Sequence, residues 1–263
     1  KDARHPGNAQ AFIDYLLVSI YAHNSDWPIN NWVCARERKE GAKFRYLPWD
    51  SGCSFGYSGS VTNNTFAKIY SGVPGNAPIS IYYNYLHQNP EFRLLFADRI
   101  QKHFFGQGAL TDRNISNRYA EMKAVMQPIV TYVQTNYNKN ARYNDNVQTD
   151  WIPRRRAVVF TDFRAEGVWP SIAAPVLSRE GGVVSNGFAL TLSNTNASGT
   201  IYYTIDGSDP RAMGGAAGGQ VYTAAISVTN SIVVRARVLD DGEWSPVNEA
   251  TFLYAYPFDA VKL

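Results

Sequence analysis

The stretch YLLVSIYAHNSDWPINNW, residues 15–32, decides the interpretation of the fold because an apolar pattern runs directly into a polar loop. Apolar residues recur at a period of three to four positions, which predicts a helix that packs one face into a core. After His23 the chain turns polar, and Pro28 indicates that the helix has ended. The helix therefore delivers Asp26, Asn30 and Asn31 to the start of a loop.

A β-hairpin is predicted for residues 32–49, around a turn at residues 39–42, and it leads to Asp50. In protein kinases an Asp orients the acceptor hydroxyl, an Asn five residues later holds one cation, and a second Asp holds the other. Asp26, Asn31 and Asp50 have this order and spacing. The alternative is that Asp26 caps a turn before Pro28 and that Asp50 caps a loop.

Four further helices are predicted in the first part of the chain. Asn89 is a cap and Pro90 a first-turn residue for the second of them, and Pro128 predicts a kink in the third. The predicted ranges are residues 79–87, 90–105, 112–137 and 150–166.

The second part of the chain changes to strand periodicity. Predicted strands cover residues 188–192, 200–205, 225–228, 231–238 and 249–254, with turn residues between them. Short, regularly spaced strands predict an immunoglobulin-like sandwich. Two prolines at residues 168–175 mark a linker, so the prediction is an α+β chain with domains at residues 1–170 and 175–255.

Composition excludes several functional classes. The net charge is +3, and the only basic cluster, Arg154–Arg156, is predicted to be a solvated helix face, so we expect no nucleic-acid partner. Cys34 and Cys53 are too few for a zinc quartet or a disulfide framework, and whether they pair stays open. No apolar run is long enough to span a membrane, and the first residues show no signal peptide.

Several single residues near the predicted loop allow two interpretations. Trp27, Trp32 and Trp49 are expected to pack around the hairpin rather than to form a sugar platform. His23 is expected to be a helix C-terminal residue rather than a catalytic one. Asp14 is either a buried hydrogen-bonding strut or part of an exposed helix face.

Residues 1–170 resemble the CotH kinase family of atypical protein kinases. The resemblance is carried by FIDYL at residues 12–16, NSDWP at 24–28, NNW at 30–32, YLPWD at 46–50, NPEFR at 89–93, ADR at 97–99, ARY at 141–143 and the segment 151–170. It implies transfer of phosphate from ATP to protein Ser or Thr with Mg²⁺ or Mn²⁺. Asp26 would be the catalytic residue, and Asn31 and Asp50 would bind the metal and the nucleotide phosphates, with Asn30 as the alternative ligand.

Two departures from the family pattern are visible. Gly52 stands where relatives often have a second acidic residue, and no Gly-rich phosphate loop or strand Lys precedes residue 10. We therefore expect the chain to be a C-terminal-lobe fragment without its N-terminal lobe. As such it should bind ATP poorly and transfer little phosphate.

Residues 175–255 resemble the chitobiase/β-hexosaminidase C-terminal-type module. The motif is IYYTIDGSDPR at residues 201–211, with RAR at 235–237 and WS at 244–245. Asp206 and Asp209 are expected to bond their own backbone and hold the turn, with a Ca²⁺ role as the alternative. Such modules accompany secreted or surface enzymes.

Three functional hypotheses follow. The first is a kinase segment, bacterial, extracellular or in the cell envelope, acting on a protein substrate with a Ser or Thr acceptor. The second is a surface protein with a degenerate kinase fold that binds a cell-surface polysaccharide. The third, a glycosidase using Asp26 and Asp50, is disfavoured because nothing in the sequence marks either carboxyl as the protonated partner.

Overall fold

The computed structural model describes residues 6–72, 76–137, 145–185 and 187–255. The chain forms two compact units, residues 1–169 and 170–263. Helices and one hairpin make up the first unit, and strands make up the second. The predicted α+β class is therefore confirmed.

The first unit contains six α-helices and one hairpin among its described residues. In chain order they are α1 (Pro6–Ala22), β1 (Trp32–Ala35), β2 (Arg45–Pro48), α2 (Phe66–Ser71), α3 (Pro78–His87), α4 (Pro90–Phe104), α5 (Asp112–Asn136) and α6 (Ile152–Ala165). A π-helical segment, Val147–Trp151, leads directly into α6. Each predicted helix is present, whereas α2 was not predicted. The motif residues 141–143 lie outside the described part.

Helix α1 lies at the centre of the first unit. Its predicted apolar face is buried, but so are Tyr15, Ser19 and Ala22 on its other sides. Only Val18, at 42% exposure, is a large apolar side chain of α1 that reaches solvent. The one-sided interpretation was too narrow, because helices and the hairpin surround α1.

A charged cluster links α1 to α4. Asp14 accepts from Nε and Nη2 of Arg99, at 2.6 and 2.7 Å, and its Oδ1 lies 2.9 Å from Nε2 of His103. Burial raises the pKa of Asp14, but the hydrogen bonds from His103 and Arg99 outweigh it and lower the pKa overall. Asp14 is thus a partly buried strut between two helices, the first of its two interpretations.

The prediction of a solvated Arg154–Arg156 face was wrong for two of the three residues. Arg154 is exposed and pairs with Asp150 one turn away. Arg155 is completely buried, and Arg156 lies over the rings of Phe105 and Phe160. A charge triplet on a helix necessarily points in three directions, and α6 presents two of them to the unit's interior.

Ten short strands make up the described part of the second unit. They are β3 (Val176–Leu177), β4 (Gly182–Val184), β5 (Ala189–Leu190), β6 (Leu192–Ser193), β7 (Thr200–Thr204), β8 (Gln220–Val221), β9 (Ile226–Ser227), β10 (Ile232–Asp240), β11 (Glu243–Trp244) and β12 (Asn248–Tyr254). The main sheet is mixed and has the strand order β4-β12-β10-β7-β8, and β11 also pairs with β10. Two smaller pairs, β3 with β6 and β5 with β9, complete the unit.

The acidic turn after β7 is stabilised by its own hydrogen bonds, and it also binds the buried side chain of Arg237. Asp206 accepts from the backbone and hydroxyl of Ser208, and Asp209 accepts from the backbone of Arg211, as predicted. Asp209 also receives two hydrogen bonds from the buried Arg237, at 2.8 and 2.6 Å. With its oxygens used in this way, Asp209 is a structural counter-ion of Arg237.

Candidate functional site

Asn24 joins the two segments that carry the predicted carboxylates. Its Oδ1 accepts from the backbone N–H of Asp26 at 3.0 Å, and its Nδ2 donates to the backbone carbonyl of Asp50 at 2.9 Å. The backbone N–H of Ser25 also donates to the carbonyl of Cys53 at 3.0 Å. The loop after α1 and the loop after β2 are therefore bonded to each other, with the buried Asn24 side chain between them.

Asn31 and Asp50 flank the same end of the hairpin. Trp32 pairs with Pro48 in the antiparallel register, so the residues just outside that pair face each other. The carbonyl of Asn31 accepts from the backbone N–H of Trp49, at 3.3 Å. The hairpin thus brings an amide-bearing residue and a carboxylate-bearing residue to one end.

Positive φ angles concentrate in these loops. His23, Asn31, Asp50 and Phe55 have φ values of 47°, 61°, 42° and 54°. Residues other than Gly adopt this region at a cost, and such strain clusters at functional sites. Within residues 23–55, the fold therefore holds these four residues in backbone conformations that their residue types disfavour.

His23 is enclosed behind the loop. It is 3% exposed, and its Nδ1 lies 2.9 Å from Oγ1 of Thr65. Thr65 donates its own hydroxyl proton to the carbonyl of Ile20, so Nδ1 of His23 is the donor. Nε2 then accepts from the amide of Asn63 at 3.2 Å.

The same surroundings keep His23 neutral. Burial, followed by the charges of Arg155 and Lys68, lowers the pKa of His23 to about 4. A neutral, buried imidazole bonded on both nitrogens supports the loop from behind.

A pocket of about 220 Å³ opens beside Asp26, and we call it the Asp26 pocket. Its wall consists of the loop after α1 and one face of α2, with Ser25, Asp26, Trp27, Pro28, Ile29, Asn30, Lys68 and Ser71 as lining residues. Nζ of Lys68 donates to the carbonyl of Ser25 at 2.5 Å. Asn31 and Asp50 lie outside this lining, on the hairpin side of the loop.

The three tryptophans around the hairpin differ in environment. Trp27 is 2% exposed and donates from Nε1 to the hydroxyl of Tyr15 at 2.6 Å. Trp32 packs against the core, as expected. Trp49 is 64% exposed, so the packing prediction was wrong for this residue.

The donor types at the hairpin end suit a hard divalent cation, because Mg²⁺ prefers carboxylate and amide oxygens and keeps several water ligands. Oδ1 of Asp50 is turned towards the backbone N–H of Gly52, at 3.4 Å, which leaves its other oxygen for a ligand. Within the described ranges no group of three or more His, Cys, Asp or Glu residues is placed to hold a metal. Cys34 and Cys53 are both free thiols.

The sequence profile of the CotH kinase proteins matches residues 8–159, more than half of the chain. The chain belongs to the CotH kinase protein family. The match covers α1, the hairpin, both site loops and most of α6, so the CotH region includes every residue of the site described above.

The profile of the chitobiase/beta-hexosaminidase C-terminal domain matches residues 179–249, after the CotH region. The order of the two predicted resemblances is therefore confirmed. No helix within the described ranges has both the length and the apolar character needed to cross a membrane.

Comparison with individual proteins adds little to the family match. No curated protein matches the chain. The solved structure of Pseudomonas fluorescens alkylpurine DNA glycosylase AlkC, bound to DNA containing an abasic site analog, is 15% identical to it. That match covers 65% of this chain and 54% of that protein, so the chain spans about half of its length. The TM-score of 0.16 carries no argument about fold or function.

Two residues of the site had no assigned role in the sequence interpretation. Asn24 belongs to the quoted motif, but only the fold reveals that it bonds both loops. Lys68 lies 42 residues after Asp26 in a stretch without a predicted element, and nothing local in the sequence marks it. Its location depends on how α2 packs against the loop.

Proposed function

We propose that the CotH region is part of a protein kinase that transfers phosphate from ATP to Ser or Thr of a protein. The observation that carries the proposal is the double hydrogen bond of Asn24, which ties the Asp26 loop to the Asp50 loop. Catalysis of phosphoryl transfer depends mainly on positioning and charge stabilisation, so a rigid link between these loops suits it.

Each residue has a distinct task in this proposal. Asp26 accepts the proton of the acceptor hydroxyl and orients its oxygen towards the γ-phosphorus. Asn31 and Asp50, at the hairpin end, would hold Mg²⁺ or Mn²⁺, which supplies charge compensation to the ATP phosphates. Asn24 keeps the two loops in register, and neutral His23 supports the loop from behind.

The test is phosphate transfer by the parent polypeptide with ATP and Mg²⁺ or Mn²⁺. Asp26→Asn and Asp50→Asn should each lower kcat by at least 10³-fold, because both remove a carboxylate while preserving side-chain shape. Asp241→Asn, in the second unit, is the matched control and should leave kcat unchanged. Transfer that persists in both site variants would overturn the proposal.

We propose an extracellular or cell-envelope location in a bacterium, because the module at residues 179–249 is of a kind found in extracellular proteins. Detection of the parent polypeptide in the cytoplasmic fraction alone would contradict that location.

A second candidate function is binding of a cell-surface polysaccharide, and the exposed aromatic rings favour it. Trp49 and Tyr57 are 64% and 74% exposed near the hairpin, and exposed rings can stack on sugars. Pull-down on chitin and peptidoglycan tests it, with Trp49→Ala expected to reduce retention at least fivefold. Equal retention of wild type and variant would exclude a role for Trp49.

A further inference from the structure

The Asp26 pocket contains one cation, and the proposal above gives it no task. Of the eight residues that line this pocket, Lys68 alone is positively charged, whereas Asp26 alone is negatively charged. Helix α2 carries Lys68 into the lining of this pocket, although Lys68 lies 42 positions after Asp26 in the chain. The fold therefore places one ammonium in the lining of the pocket that also contains the carboxylate proposed to receive the acceptor proton.

The ammonium group of Lys68 is held in place by one hydrogen bond and keeps further donors available. It donates to the carbonyl of Ser25, the residue directly before Asp26, at 2.5 Å. An ammonium has three N–H donors, so this bond fixes the position of the head group and leaves capacity for a further acceptor. Its positive charge acts on the surroundings, since it is one of the causes, after burial and Arg155, that lower the pKa of His23.

An acceptor hydroxyl on its own would not need a cation in this pocket, but a phosphoryl group would. As the phosphoryl group reaches the acceptor, its negative oxygens approach the carboxylate of Asp26. Two like charges at close range repel each other, and the repulsion is stronger in a partly enclosed pocket than in open water. A cation on the same wall offsets this repulsion where the negative charge accumulates.

We propose that Lys68 is a catalytic residue that contacts the non-bridging oxygens of the phosphoryl group on the acceptor side. This inference rests on the proposed kinase function. The acceptor oxygen forms a bond to the γ-phosphorus while the bond from the γ-phosphorus to the β,γ-bridging oxygen breaks. The hydroxyl proton passes to Asp26, ADP leaves with the electron pair, and Lys68 stays protonated throughout.

Kinetics of the parent polypeptide with ATP and Mg²⁺ test the inference through three variants. Lys68→Met should lower kcat by 10²- to 10³-fold with less than a threefold change in KM for ATP, because the contact forms during transfer. Lys68→Arg should have a kcat at least tenfold higher than that of Lys68→Met. Lys39→Met, in the exposed turn of the hairpin, is the control and should match wild type.

The outcomes separate this inference from the proposed function. If Asp26→Asn abolishes transfer while Lys68→Met stays within threefold of wild type, the role of Lys68 is refuted and the kinase proposal stands. If Asp26→Asn and Asp50→Asn both retain transfer, the kinase proposal itself fails and the inference falls with it.

A second measurement removes the ambiguity of a misfolded variant, since Lys68→Met also loses the bond to Ser25. Reductive methylation of lysines in the wild-type parent polypeptide is followed by mass spectrometry, with and without ADP, Mg²⁺ and vanadate as a phosphoryl mimic. Lys68 should be protected at least fivefold, and Lys39 should not. Equal labelling of Lys68 with and without the mimic would overturn the inference.

Discussion

Asn24 is the residue on which the relative position of the two candidate site loops depends. Asn24 is 5% exposed. Its side chain accepts one hydrogen bond from the backbone of Asp26 and donates one to the backbone of Asp50, and both partners have a role in the proposed mechanism. Buried amides with both ends satisfied specify one arrangement, because any other leaves a polar group unpaired.

We predict that Asn24→Ala lowers kcat of the proposed phosphate transfer at least tenfold and destabilises the first unit by about 1–3 kcal/mol, since two hydrogen bonds are lost. Asn24→Asp retains the bond from Asp26 but turns a carboxylate oxygen towards the Asp50 carbonyl, so it should not restore kcat. Asn117→Ala, at an exposed position of α5, is the matched control for both measurements. A wild-type kcat in Asn24→Ala would show that the loops hold without this link.

The environment of His23 predicts a pH dependence with a definite sign. Its pKa of about 4 in the folded state lies below the ordinary value of 6.5, so the unfolded chain takes up the proton first. The contribution of His23 to stability is present above pH 6.5 and is lost as the pH falls towards 4. Urea unfolding of wild type and His23→Gln should therefore give a stability difference that shrinks between pH 6.5 and 4.5. A difference that stays constant over this range would contradict the assignment.

Helix α6 supports the site through one buried side chain. All five N–H donors of Arg155 are used: they bind the carbonyls of Ile20, Tyr21, Val61 and Asn63 and the hydroxyl of Thr65. Burial lowers the pKa of Arg155 to about 10, so it remains charged at neutral pH. Through these bonds α6 holds the end of α1 against the segment that precedes α2.

We predict that Arg155→Lys destabilises the first unit by about 2–5 kcal/mol, because Lys has three donors and at least two acceptors would lose their partner. Arg154→Lys is a matched control one position away, and it should change the free energy of unfolding by less than about 0.5 kcal/mol, as its pair with Asp150 is exposed. Chemical denaturation of both variants makes the comparison. Equal stability of the two would refute the role of Arg155.

Local signals explain which elements could be predicted from the sequence. Asn89 accepts from the backbone of Glu91 as a helix cap, and the hairpin around residues 39–42 forms as predicted, because both depend on neighbours in the chain. Two features depend on residues that lie 42 to 135 positions away in the chain. They are the burial of Arg155 and the location of Lys68 in the lining of the Asp26 pocket. Contacts between positions so far apart follow no local pattern in the sequence, so they could not be predicted from it.

At the scale of the whole molecule, two family regions follow each other, and each unit has its own core and its own buried cation. In the second unit Arg237 is 1% exposed and is balanced by Asp209. The sequence motif predicted the turn that contains Asp209, but not that its carboxylate pairs with a strand residue 28 positions later. The roles of Asp209 in the turn and in the pair became distinguishable only from the fold.

We predict that Asp209→Ala destabilises the second unit by about 2–4 kcal/mol, because the charge of Arg237 loses its counter-ion. This loss of stability is smaller than that expected for breaking a fully buried ion pair, because the Asp209 side chain is 37% exposed. Asp206→Ala, in the same turn, removes only local bonds and should have a clearly smaller effect. Hydrogen exchange of the β10 amides measures both, and equal acceleration in the two variants would contradict the prediction.

The bonds of Arg155 also have a consequence for biosynthesis. Tyr21 and Arg155 are separated by 134 positions, so the last turn of α1 is synthesised long before the guanidinium that binds it. A nascent chain that ends before α6 would lack the bonds that hold the end of α1 against the segment before α2. Under the proposed function, such an intermediate should transfer no phosphate until α6 has left the ribosome, which delays the onset of activity to a late stage of translation.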